Sequence, residues 1–398
     1  MSKKHSLFVI WGQFPPSIGG TAARGYRIYE ALSERGYTVT VFTTKPPGTK
    51  IYERVSPNFK IIGVPPSLRE ASKRGRLSWF LHVVTNTIRY FNLYLFLFYF
   101  YLRQKPDIII KEATTWVFDS RITRYFRLDI FRIASRIAPW VLLKKLVHVP
   151  LVTYFTHLWY VPKRYFPICV YSTDKIIVVD KWMENALKEM GIKCDISYLP
   201  VSINLNDFQP DKKLPGNNVL FVGRLGTDRA CDTLIKAAPE IIGKVPDCKI
   251  IIVGDGSEAP ALKRMAEQLD IMPHVVFTGA INPHRIDEVY RGVKVLVNPL
   301  RVPGIGNVTI EAMACGIPVV KSIIDGYSGY PIEDGANGYL FRVDDYLDLA
   351  DKVVKILQNP RWEVFSRAAR ETAMKFDIQA SVDKLEQIIG SVTQVTGE

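Results

Sequence analysis

Residues 218–258 read NVLFVGRLGTDRACDTLIKAAPEIIGKVPDCKIIIVGDGSE, and their pattern decides the fold. The run NVLFVG (218–223) is apolar and closes on glycine, as a buried strand does. A helical pattern covers about 230–243, and KIIIVG (249–254) is a second apolar run ending on glycine. Strand, helix and strand in this order specify a parallel pair joined by a crossover helix. The alternation continues downstream. A helix is expected through Leu269, then strands at HVVFTG (274–279), KVLVNP (294–299) and IPVVKS (317–322).

Upstream the same grammar holds. SLFVIW (6–11) leads into the turn FPPSIGG and a helical pattern through Arg35, which Gly36 stops before YTVTVFTT. Further strands are expected at DIIIKE (107–112), PLVTYF (150–155) and KIIVVD (175–180). The Pro/Asn/Asp-rich stretch PVSINLNDFQPDKKLPGN, from Pro200 on, has linker composition. The expectation is an α/β chain of two Rossmann-like, doubly wound parallel-sheet domains facing across a cleft. Residues 1–205 form the first and 206–376 the second, with a final helix in 377–398 crossing back to the first.

Three glycine-bearing turns follow strands of the second half: GRLGTDR (223–229), GDGSE (254–258) and PGIGNVTIEAMACG (303–316). Such a turn ahead of a helix exposes backbone N–H groups and a positive dipole end, which suits phosphate. Arg224 and Arg229 beside the first turn strengthen that expectation, while Gly254 and Gly256 read as makers of a tight turn. Glu311 reads either as a ribose-binding acid or as a first-turn acid placed by the helix dipole. Cys315 reads as a small buried residue.

In order, FVGRLGTDRACDTLIKAA, IIIVGDGSE, VVFTGAI, VLVNP, GIGNVTIEAMACGIPVV and IEDGANGYLF resemble glycosyltransferase family 4, the retaining enzymes of the GT-B fold. PPSIGG (15–20), ALSERGYTVTVFT (31–43), VTYFTH (152–157) and DKIIVVDKWMENALKEMG (174–191) extend the resemblance through the first half. It implies that Arg224 and Arg229 hold the donor diphosphate, where Arg229 stands for the usual Lys. It implies that Gly223, Gly304, Ile305, Gly306, Asn307 and Val308 line the phosphate loop and that Glu311 binds the ribose. Gly19 and Gly20 would approach the donor from the first domain, and His157 would face the sugar at the reacting centre.

One position departs from the family. The second acid expected eight residues before Glu311 is Pro303, and NPLRVPGIG offers no carboxylate; Arg301 is a candidate substitute. The expected activity is transfer of a sugar from a nucleoside-diphosphate sugar to a lipid-linked or glycan acceptor, with retention. The alternatives are a non-catalytic partner subunit and a sugar-nucleotide epimerase. No Asp-x-Asp pair occurs and the six histidines lack ligand spacing, so neither metal nor cofactor is expected.

Charge separates the halves. Residues 1–200 hold 30 Lys and Arg against 13 Asp and Glu; residues 201–398 hold 22 against 26. The stretch 119–146 repeats Ile122, Phe126, Ile130, Ile133 and Ile137 at helical spacing, with Arg121, Arg124, Arg127, Arg132 and Arg136 between them and Lys144 and Lys145 beyond. A one-signed amphipathic helix is the pattern of an anionic membrane surface. The aromatic segment 77–102 has no uncharged run longer than Tyr90–Leu102, 13 residues, against the roughly 20 a bilayer span needs. Its length favours a helix packed ahead of DIIIKE, and its density of Phe, Tyr and Leu leaves room for contact with lipid. Nucleic acid is disfavoured, because no zinc-finger spacing or RNA-binding strand motif is present. Five unpaired-looking cysteines and no visible signal peptide give the expectation of a cytoplasmic chain, peripheral at the membrane face.

Overall fold

The computed structural model describes residues 4–11, 20–44, 52–64, 97–112, 149–156, 170, 173–211, 213–281 and 286–394. Two compact units emerge: one of Met1–Pro200 with Gln379–Glu398, the other of Val201–Ile378.

The first unit is built on eight strands: β1 (Ser6–Ile10), β2 (Thr38–Thr44), β3 (Tyr52–Ser56), β4 (Phe59–Val64), β5 (Ile108–Glu112), β6 (Leu151–Phe155), β7 (Lys175–Val178) and β8 (Asp195–Tyr198). Their order is β3-β4-β2-β1-β5-β6-β7-β8. All neighbours are parallel except the antiparallel pair β3 and β4. That pair and β8 escaped the sequence reading. β3 is a polar, largely exposed edge (YERVS) and β8 is the short polar DISY, so neither carries an apolar run. Residues 97–104 are helical: Leu97 and Phe100 pack on the core of Phe8, Ile10, Phe42 and Ile109, while Phe98, Tyr99 and Leu102 are exposed.

The helix Ile378–Gln394 carries Val382, Leu385, Ile388, Ile389 and Val392 on one buried stripe. Its polar side is tied to the first unit. Arg35 reaches Glu386 Oε2 at 2.8 Å, Gln379 Oε1 at 2.7 Å and Asp383; Lys4 Nζ reaches Glu386 at 3.0 Å; Lys175 donates to Ser391 at 3.1 Å.

The second unit has six parallel strands: β9 (Asn218–Val222), β10 (Lys249–Val253), β11 (Val275–Gly279), β12 (Val295–Asn298), β13 (Val319–Ile323) and β14 (Gly338–Arg342). Their order is β11-β10-β9-β12-β13-β14. The helices Cys231–Lys244 and Tyr346–Leu357 cover one face, with Leu234, Ile235, Ile241, Leu349 and Val353 packed on Val219, Phe221, Ile250, Val295 and Val320. Each such side chain contributes about 1.5–3 kcal/mol by leaving water. No described helix is long and apolar enough to cross a membrane.

Candidate active site at the switch point of the second sheet

From β9 the chain builds first through β10 to β11, then returns to the other side of β9 for β12, β13 and β14. The carboxyl ends of β9 and β12 therefore flank the point where strand order reverses, the place where open α/β sheets bind ligands.

The turn after β9 is anchored to the turn after β10. Gly223 N donates to Val253 O at 3.0 Å, Leu225 N to Asp255 O at 2.9 Å and Glu258 N to Leu225 O at 3.0 Å. A Cβ on Gly254 (φ +137°) would lie 1.8 Å from Gly223 O, and one on Gly256 would lie 2.3 Å from Leu225 O. These two glycines let the turns interlock. Arg224 then projects into solvent with Nη2 on Asp228 Oδ1 at 2.7 Å. Arg229 faces the other oxygen of the same carboxylate at 3.4 Å, and its buried Nε has no hydrogen bond. Two guanidinium groups thus share one acid.

Arg301 does not replace the missing family acid at Pro303. Its Nε donates to Asp344 at 2.7 Å, Nη1 to Thr227 O at 2.7 Å and Nη2 to Asp232 at 2.8 Å, and its amide donates to Asp228 O at 3.0 Å. Its guanidinium is committed to the protein itself. It clamps the turn that carries Arg224 and Arg229.

After β12, the loop is shaped by two buried polar residues. Asn298 Nδ2 donates to Thr309 Oγ1 at 2.8 Å and to Ile305 O at 3.4 Å, and Thr309 Oγ1 donates to the same carbonyl at 2.8 Å. The Ile305 carbonyl is thereby turned inward. A trans peptide points its N–H the opposite way, so the Gly306 amide faces away from the core. Gly304 and Gly306 both have positive φ, 134° and 77°, and Gly306 opens the helix Asn307–Ala314 with no side-chain cap. The amides at the start of this helix and its positive dipole end are features that suit an anion.

Glu311 does not open that helix. It lies in the second turn, 5% exposed, and accepts from Tyr290 Oη at 2.9 Å. Dipole preference in the first turn therefore does not account for it, and a buried carboxylate needs hydrogen-bonding partners. The Tyr290 ring is held edge-on by Phe208, centroids 5.9 Å apart.

The sequence reading missed Tyr290, Asn298, Thr309 and Lys321. Lys321 had a visible signal: it is a lysine inside the apolar strand IPVVKSI. It is 1% exposed, and burial, then Arg229, push its ammonium down to about 7.

In the first unit Gly20 is the first residue of the helix Gly20–Glu34. Trp11, Arg24, Tyr29, Glu112 and Tyr154 gather, buried, around the ends of β1, β5 and β6, and the Trp11 ring meets Tyr154 at 5.2 Å and Tyr29 at 5.7 Å. Thr156 Oγ1 donates to Glu112 at 2.9 Å. Gly19, His157, Arg121, Arg124, Arg127, Arg132, Arg136, Lys144 and Lys145 lie outside the described residues.

Two family models match the chain: one described as Glycosyltransferase Family 4 over residues 18–207, and one described as Glycosyl transferases group 1 over residues 216–359. The sulfoquinovosyl transferase SQD2 of Arabidopsis thaliana is 31% identical over 186 residues, 46% of this chain and 34% of that protein. A GDP-mannose-dependent alpha-(1-6)-phosphatidylinositol monomannoside mannosyltransferase of Mycolicibacterium smegmatis is 30% identical over 209 residues, 48% of this chain and 54% of that protein. The matches thus span about a third to a half of these relatives' own length. Among solved structures, the sucrose-phosphate synthase of Thermosynechococcus elongatus superposes with a TM-score of 0.78 at 20% identity, covering 98% of this chain and 100% of that one. With both units matched and the glycine turns, paired arginines and buried acid of the second sheet in place, the chain belongs to glycosyltransferase family 4 and has the GT-B fold.

Proposed function

We propose that this chain transfers a sugar from a nucleoside-diphosphate sugar, held by the second unit, to a glycan or lipid-linked acceptor held by the first. The observation that carries this reading is that Arg224 and Arg229 follow β9 while the glycine turn ahead of the helix Asn307–Ala314 follows its neighbour β12, at the switch point of one sheet. A departing diphosphate develops negative charge, and preorganised donors at that charge lower the barrier; each contributes roughly 3 kcal/mol. Glu311, which accepts a hydrogen bond from Tyr290, would receive the ribose hydroxyls in this reading. Retention of anomeric configuration goes with the family. The arginines supply the positive charge that a divalent ion brings elsewhere, so transfer is expected to survive EDTA.

We further propose a peripheral place at the cytoplasmic face of an anionic membrane. It is supported by the basic first half and by Phe98, Tyr99 and Leu102 standing exposed beside Arg103 and Lys105. Sedimentation with vesicles containing anionic lipid, set against neutral ones, tests this.

The donor is tested by thermal shift with a panel of UDP-, GDP- and other nucleotide-sugars. A ligand at 100 times its Kd stabilises by about 2.7 kcal/mol. Transfer or hydrolysis of the stabilising donor completes the test, and a panel without any stabilising member removes the proposal. Pro303 favours a second reading, a partner subunit without transferase activity, which is supported if UDP and GDP bind weakly or not at all.

A further inference from the structure

We propose that Lys321 is a proton-linked positioning residue of the diphosphate site, taking up a proton when a nucleoside diphosphate binds. This rests on the donor site proposed above.

Lys321 lies on β13 in register with Asn298 of β12, so both side chains leave the same face of the sheet. Asn298 reaches the Ile305 carbonyl of the glycine turn from there. Among the described residues no hydrogen bond or ion pair holds the Lys321 ammonium. Its charged neighbour is a second cation, Arg229. Arg229 in turn shares Asp228 with Arg224. The remaining cation of the turn, Arg301, is matched by Asp232 and Asp344. Three basic side chains therefore stand against one carboxylate.

An unpaired ammonium in such a place is disfavoured twice, by lost hydration and by the like charge beside it, and the free amine is the way out. This agrees with the value of about 7 given above. A bound diphosphate changes the balance, since its terminal phosphate alone carries about −1.5 to −2 charges at pH 7. Laid against Arg224 and Arg229, it makes the ammonium form of Lys321 favourable. Because Lys321 is buried, it acts on the ligand through Arg229. Binding then takes up a proton at any pH between the free and bound values of the lysine, and affinity falls as pH rises through that window.

Titration calorimetry of the full chain with UDP and with GDP at pH 8, in two buffers of different ionisation heat, counts the protons. The terminal phosphate, with a second pKa of about 6, is already ionised there and adds none. We expect uptake approaching one proton and a Kd up to about tenfold weaker at pH 9 than at pH 8. In Lys321→Met the uptake disappears and the pH dependence flattens. Lys321→Arg, whose charge is fixed, gives the same two results should the methionine variant fail to fold. Nucleotide binding without proton uptake, or equal uptake in either variant, overturns the role of Lys321 and leaves the donor site standing. Failure of both nucleotides to bind at every pH overturns the donor site itself, and this inference with it.

Discussion

Replacing Tyr290 by Phe removes one hydroxyl and leaves the ring where it is. The ring keeps its edge contact with Phe208, so no cavity opens. What disappears is the 2.9 Å hydrogen bond to Glu311 Oε2, a bond to a charged acceptor that is 5% exposed. A hydrogen bond of that kind contributes about 1.5–3 kcal/mol. The unit carrying it is Val201–Ile378, and in units of that size each kcal/mol shifts Tm by about 2–4 °C. The melting transition of the second unit should therefore fall by about 3–12 °C. Released from the phenol, the carboxylate is less well aimed at the ribose, and UDP or GDP affinity should fall about three- to tenfold, roughly half the stability loss in free energy. Tyr290→Phe would thus lose part of the preference for a ribonucleotide over its 2′-deoxy analogue. Thermal melting and calorimetry with both nucleotide forms check this. An unchanged Tm would refute the energetic claim. A lowered Tm with unaltered nucleotide preference would show that Tyr290 serves packing and does not aim Glu311.

Other substitutions separate scaffold from site. Gly254→Ala forces a Cβ against the Gly223 carbonyl at a backbone angle that L-residues avoid, and should cost more than about 3 kcal/mol in urea unfolding; wild-type stability would show that the interlocked turns yield. Arg224→Ala removes an exposed side chain, so Tm should stay within a degree or two while kcat falls about a hundredfold. Arg301→Met breaks the clamp on Thr227, Asp232 and Asp344. It should weaken nucleotide binding about tenfold, at a stability cost of about 2–4 kcal/mol, although all three guanidinium nitrogens of Arg301 are engaged within the protein. Binding at wild-type affinity would show that the turn holds its shape unaided.

Much of the fold was legible from apolar runs, although one of them, FKIIGV ahead of Pro65, was passed over and became β4. NVLFVG, KIIIVG, KVLVNP and IPVVKS became β9, β10, β12 and β13, because buried parallel strands must be apolar on both faces. β3, β8 and β14 were illegible for the opposite reason: edge strands such as YERVS and DISY keep one side in water and have no run to notice. At the candidate site the glycine turns and their arginines could be read off directly. The fate of Arg301 could not, since its partners Asp232 and Asp344 are 69 and 43 residues away and only the fold brings them together. Glu311 was found but misplaced by one helical turn, because the chain enters its helix at Asn307, through a glycine that no capping side chain marks. Tyr290 has no local signature, as its role depends on a partner 21 residues along the chain.

The Ile378–Gln394 helix, packed with the first half of the chain, has a consequence for biosynthesis. A ribosome releases residues in order, so the first unit must wait, its docking groove for Leu385 and Ile389 uncovered, until the second unit has been synthesised. Severing the polypeptide between Pro200 and Val201 would leave the amino-terminal fragment short of a whole unit and the other fragment carrying a helix that belongs to the first. The amino-terminal fragment would lack its closing helix and should aggregate unless residues 379–394 are returned to it as a peptide.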